Sequence, residues 1–168
     1  MRLKLSEIYL GFKNKSFKIS HRDLPDRGVV YKDKLITGSI SLESENKYYR
    51  LKGKLNATTE YICVRCLKNF PFHIVQKVNI LMVPGTERFK QRLNIDIVHI
   101  NKSDDYVDLG YVFADLIALS EPLKPLCDIK CSGICLYCGI EKKTHCSCED
   151  QKDTSVWDKL KNIHIQKS

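Results

Sequence analysis

Apolar side chains alternate with polar ones in three runs: Ile36, Ile40 and Leu42; Tyr49, Leu51 and Leu55; and Val78, Ile80 and Met82. A period of two puts one set of side chains on one face, so each run predicts a strand with one buried and one wet side. Gly53 interrupts the second run and predicts a bulge, while Pro84-Gly85 ends the third in a turn. Ile95, Ile97 and Ile100 suggest a fourth, less regular strand. The period then changes: Leu109, Val112, Phe113, Leu116 and Ile117 follow the spacing of a single helical stripe, with Asp108 as its cap and Pro122 as its stop. Ser155 opens a short terminal helix carrying Trp157, Leu160 and Ile163, whose apolar side suits docking onto the body.

These elements predict an α+β fold, with a mostly antiparallel sheet body, one or two short helices and a C-terminal Cys-rich zinc module. The expected division is a β-rich body over 1–122, with a basic N-terminal segment and a helix near 109–120, followed by the module and terminal helix over 123–168. At 168 residues the chain can bury one core plus a small appended unit. No stretch of the length and apolarity of a membrane span occurs, and no signal-peptide pattern opens the chain, so a soluble intracellular protein is expected, without a membrane partner.

Composition adds a charge of +8, and it is uneven: residues 1–36 carry nine Lys or Arg against four acids. Lys13, Lys15, Lys18, Arg22 and Arg27 form the candidate electrostatic surface for RNA. A second basic stretch, Tyr48, Tyr49, Arg50, Lys52 and Lys54, interleaves aromatic and basic residues, but the same alternation is what any half-buried strand requires, and that plainer reading is preferred.

Eight cysteines carry the chemistry: Cys63, Cys66, Cys127, Cys131, Cys135, Cys138, Cys146 and Cys148. Zinc in structural sites takes four soft ligands in a tetrahedron, and a Cys-x-x-Cys turn supplies two of them. The preferred pairing sets Cys135, Cys138, Cys146 and Cys148 on one ion and Cys63, Cys66, Cys127 and Cys131 on a second, with His145 a substitute ligand. Gly139 after Cys138 supplies the positive φ that a metal knuckle needs; Leu67 after Cys66 offers no such freedom. Closed four-thiolate sites are structural, so one or two zinc ions would not imply catalysis. His21, His73, His99 and His164 stand apart in sequence. No phosphate-cradling loop, metalloprotease motif or nucleophile elbow is present, which removes support for kinase or hydrolase chemistry and for a small-molecule substrate.

The run Pro125-Leu-Cys127-Asp-Ile-Lys-Cys131-Ser-Gly-Ile-Cys135-Leu-Tyr-Cys138-Gly139, followed by Cys146-Ser-Cys148, resembles the YceD-type proteins associated with accumulation of large-subunit ribosomal RNA. The Cys63-x-x-Cys66 pair, the helix from Asp108-Leu109 to Glu121-Pro122 and the Trp157-Asp-Lys-Leu160 segment occur in the same order. The resemblance implies a non-enzymatic ribosome biogenesis factor that supports synthesis, processing or stability of 23S ribosomal RNA. Its partners would be ribosomal RNA or large-subunit precursor particles, met directly or through protein. Family members without the C-terminal cysteines imply that the metal serves stability. The competing readings are a thiol redox protein using Cys63 and Cys66, which needs an exposed thiol of depressed pKa, and a general RNA-binding zinc protein. A redox motif of the thioredoxin kind should open a helix, whereas Phe70-Pro71-Phe72 reads as strand.

Overall fold

The computed structural model describes residues 1–85, 95–101, 103–142, 146 and 148. His145 and the expected terminal helix with Trp157, Leu160 and Ile163 lie outside them. The architecture is α+β. In chain order come β1 (Arg2–Lys4), α1 (Leu5–Leu10), β2 (Phe12–Ser20), a 3-10 turn at His21–Asp23, β3 (Leu35–Glu45), β4 (Tyr48–Ile62), β5 (Asn69–Pro84), β6 (Asp96–Ile100), β7 (Tyr106–Asp108) and α2 (Gly110–Ala118). Strands β2-β3-β4-β5-β6 form one sheet, antiparallel except for the parallel β5–β6 pair, and β1 pairs with β7 in a second, two-stranded sheet.

The alternation read from the sequence becomes the inner face of the large sheet. Ile36, Ile40, Leu42, Leu51, Leu55, Val78, Ile80 and Met82 all belong to one buried cluster with Leu3, Ile8, Phe113 and Ile117 from the elements packed over it. The Phe17 ring stacks on Phe113 of α2, centroids 5.4 Å apart, and comes close to Gly38 on the neighbouring strand. A side chain at Gly38 would collide with that ring, so the small residue lets strand and helix close together.

Three local expectations change. Gly53 makes no bulge: it sits in unbroken register between Ile40 and Val78. A Cβ there would lie 2.2 Å from the Ser39 carbonyl oxygen, so close backbone approach, not an extra residue, explains the glycine. The register shift falls instead in β2, between Phe12 and Lys15. Asp108 is not the helix cap; Leu109 holds that position, and Asp108 accepts a hydrogen bond from the Gly110 N–H at 2.8 Å from one residue further back. The helix ends at Ala118, before Pro122, where the Ser120 hydroxyl donates to the Leu116 carbonyl at 2.7 Å.

The β4–β5 hairpin, with strands of 15 and 16 residues, is far longer than a typical strand of about 5–6 residues. Its β3 neighbour stops pairing at Asn56, and beyond that point the edge of β4 away from β5 is met, among the described residues, by residues 30–32, through Lys32 N–H to Thr58 and Glu60 N–H to Val30. The hairpin tip thus runs past the main core, and the tip carries Cys63 and Cys66. Among the described residues no helix is long and apolar enough to cross a membrane.

Candidate metal centres

The tip of the hairpin is a knuckle. After Ile62 the chain turns through Cys63 to Leu67, with the Cys63 N–H donating to the Lys68 carbonyl and the Leu67 N–H donating to the Cys63 carbonyl, both at 2.9 Å. The turn at Cys135 repeats the pattern: Cys135 N–H to Ile140 carbonyl at 2.7 Å, Gly139 N–H to Cys135 carbonyl at 2.9 Å. Leu67 and Gly139 are therefore equivalent, and both have positive φ, 59° and 70°. This corrects the expectation that Leu67 lends the first pair no support: the leucine adopts the glycine-like backbone, held there by the knuckle's hydrogen bonds.

The segment after Pro125 clasps the tip. Val64 N–H donates to the Pro125 carbonyl, Ile134 N–H to the Arg65 carbonyl, and the Arg65 guanidinium to the Cys131 carbonyl at 2.9 Å. An Asp128 carboxylate accepts from the Lys130 N–H and shapes the turn that delivers Cys131. Lys68, beside the first knuckle, pairs with Glu141, beside the second.

These turns gather the sulfurs into two groups, Cys63, Cys66, Cys127 and Cys131, and Cys135, Cys138, Cys146 and Cys148; within each, the sulfurs lie within 4.8 Å of one another. Contacts of 3.8 Å (Cys63–Cys131), 3.5 Å (Cys66–Cys127) and 3.5 Å (Cys138–Cys146) match the edge of about 3.8 Å for a tetrahedron with metal–sulfur bonds of ~2.3 Å. All eight are free thiols. Each group could hold a metal ion.

The electrostatics agree with that geometry. Burial pushes the Cys63 thiol up, but the backbone amides of Cys127, Cys66 and Arg65 turned toward its sulfur prevail and bring it down to about 6. The amides of Cys138 and Tyr137 do the same for Cys135, also to about 6. Their neighbours are driven the other way: Cys127 to about 12, chiefly by the Cys66 thiol, and Cys148 to about 12, chiefly by Cys146. Each cluster accommodates a first thiolate readily and resists the last, the behaviour of a donor set that needs a central cation to become fully ionised.

The five basic candidates are not all on one face: Lys15 lies opposite the inward Ile40, and Lys18 has the outward parity. Lys13, Lys15, Lys18, Arg22 and Arg27 are all exposed. Lys15 pairs with Glu7 of α1 at 2.8 Å and lies over the Phe12 ring, while Arg27 pairs with Asp115 of α2 at 2.6 Å. Lys18 falls on the opposite, outer side of the sheet from its neighbours Phe17 and Ile19. In the second basic stretch Tyr49 takes the inner-face parity of Leu51 and packs on Tyr9, centroids 5.8 Å apart, so it cannot join Lys52 and Lys54 in a stacking platform.

No solved structure matches the chain. A protein of Mycobacterium leprae (strain TN), described as uncharacterized, is 29% identical over 101 residues, which are 60% of this chain and 46% of that relative, so the match spans under half of the relative's length. The family model of the large ribosomal RNA subunit accumulation protein YceD matches residues 51–164, a stretch that begins on β4 and takes in all eight cysteines; the chain belongs to this family.

Proposed function

We propose that this chain is a non-enzymatic ribosome biogenesis factor of the bacterial cytoplasm or plastid stroma that supports synthesis, processing or stability of 23S ribosomal RNA. Family membership over residues 51–164 carries the reading. Zinc is the ion proposed for both clusters, since four thiolates at tetrahedral spacing suit it, and the described residues from 123 onward would act as a zinc module stapled to the hairpin tip. Zinc there supplies cross-linking and charge neutralisation; it leaves no open coordination position for a substrate.

Burial argues against redox work by Cys63 and Cys66, which are 0% and 6% exposed and face two further thiols. A redox cysteine must meet its partner's sulfur. Depleting the protein and following large-subunit ribosomal RNA, with gradient sedimentation of the tagged chain, tests the proposal. Loss of that RNA relative to the small-subunit species and co-migration with large-subunit precursors are expected. Unchanged RNA and a chain found only in the light fractions would refute it.

A further inference from the structure

The outer face of the large sheet carries a second chemistry that the metal clusters do not use. Its register is fixed by the ladders: Ser39 of β3 lies opposite Lys54 of β4, which lies opposite Lys77 of β5, and Ser41 opposite Lys52 opposite Asn79. One step along, Lys18 of β2, Thr37, Asn56 and Val75 form the adjoining row. All of these share the outward parity, opposite to the buried Ile40, Leu55 and Val78. The block therefore presents four lysines among hydroxyl and amide side chains and Val75, with acids at its margins: Asp33 shares a surface hollow with Thr37, Asn56 and Val75, and Glu45 of β3 feels the charge of Lys52.

Lys18, Lys52, Lys54 and Lys77 are exposed, and none has a hydrogen-bonded or ion-paired acid among the described residues. Lys54 directly faces Lys77, a like-charge cross-strand pair that disfavours the sheet. With strands about 4.8 Å apart and side chains on one face repeating every ~6.7 Å, four ammonium groups are spread over a flat area too wide for a small anion. A polyanion matches it. Within the block no aromatic side chain is available to stack a base, while Ser39, Ser41, Asn56 and Asn79 can hydrogen-bond sugar hydroxyls and phosphate oxygens.

We propose that this face binds the phosphate–ribose backbone of helical RNA without reading its bases, an inference that rests on the RNA-associated reading above and gives it a surface. Lys18, Lys52, Lys54 and Lys77 each neutralise a phosphate. The test is fluorescence anisotropy of a labelled RNA duplex with the full zinc-loaded chain across a salt series. Four contacts give a log–log salt slope of about −3.6, and each single substitution, K18Q, K52Q, K54Q or K77Q, lowers its magnitude by ~0.9. The quadruple variant binds roughly tenfold or more weakly at moderate salt; the single variants carry the test alone if the quadruple one does not fold.

An unchanged slope in these variants, or a loss produced by K13Q/R22Q instead, overturns the proposal. So does competition by polyglutamate as effective as that by RNA, which would mark a general anion surface. Absence of duplex binding by a chain that still co-migrates with precursor particles sinks this surface alone and leaves the biogenesis role standing.

Discussion

Leu67 and Gly139 occupy the same position in two knuckles, each donating its N–H to the carbonyl of the cysteine four residues earlier at 2.9 Å with φ near 60–70°. The two residues carry different costs there. A left-handed backbone disfavours a residue with a Cβ by about 1–2 kcal/mol and leaves glycine almost unaffected.

Leu67→Gly should therefore stabilise the zinc-loaded protein by about 0.5–1 kcal/mol, the relieved backbone cost less the greater freedom glycine gives the unfolded chain. Leu67 is 63% exposed, so little packing is lost. Gly139→Ala should destabilise by about 1 kcal/mol through the backbone alone, because a Cβ there meets nothing within 4 Å. Urea unfolding of both variants checks the pair; a destabilised Leu67→Gly would mean that the leucine side chain has a packing role at the tip.

Gly53→Ala tests the close approach of β3 and β4. The new Cβ would meet the Ser39 carbonyl oxygen at 2.2 Å and the Ile40 side chain at 2.8 Å, and backbone cannot move aside as a flexible side chain can. A loss of about 1–3 kcal/mol in denaturant unfolding is expected, in line with overpacking of a close-packed interior. A neutral result would show that the two strands are able to separate at this point.

Asp108 ties the N-terminal residues Met1 and Arg2 to the start of α2. Burial would raise its carboxyl, but the Gly110 N–H, the Met1 ammonium and Arg2 together hold it below the usual carboxylate value. A carboxylate whose folded pKa is depressed contributes stability that is fully present above its unfolded value and lost as pH falls through the folded one. Thermal melts should therefore show a decline below about pH 4 that Asp108→Asn makes shallower, at a cost of roughly 1 kcal/mol near neutral pH from the lost charge on the Gly110 N–H, Met1 and Arg2 contacts. An unaltered acid limb in the variant would assign the decline to other carboxylates.

How far the chain could be read depends on the range of the signal. The runs through Ile40, Leu51 and Ile80 announced their strands because one buried face imposes a local period, and the helix stripe at Phe113 and Ile117 did so for the same reason. Strands β1 and β7 gave no warning: three residues each, they pair Arg2 with Asp108 across more than a hundred positions. The 3.6 or 2.0 period needs more length than that to show. In the sequence strand β2 shows only as a basic stretch, since its register shift between Phe12 and Lys15 breaks the alternation, and the parallel β5–β6 pairing has no local signature. The eight cysteines could be divided into fours from spacing, but the Leu67 backbone could not be foreseen, because side-chain type predicts φ only as a preference that tertiary hydrogen bonds override. The outer lysine block became visible only once register set Lys18, Lys54 and Lys77 on the same face of one sheet.

With zinc bound as proposed, chelation would separate what the core holds from what the metal holds. Leu51, Leu55 and Ile80 are fully buried in the sheet centre, whereas the contacts Val64 N–H to Pro125 and Ile134 N–H to Arg65 exist only while the 125–135 stretch stays on the hairpin tip. Stripping zinc should therefore abolish amide-exchange protection at Val64 and Ile134 first, leave Leu51 and Ile80 protected, and make all eight thiols titratable. At free zinc a thousandfold above its Kd, about 4 kcal/mol of the holo-protein's stability is lost with each site. Cys131→Ser should reproduce the loss at Val64 and Ile134; Cys146→Ser should spare Val64, since its sulfur lies in the other cluster. Protection at Val64 that survives both chelator and Cys131→Ser would show that hydrogen bonds and Phe70, Leu126 and Ile134 alone hold the clasp, and that the first cluster is not what staples it.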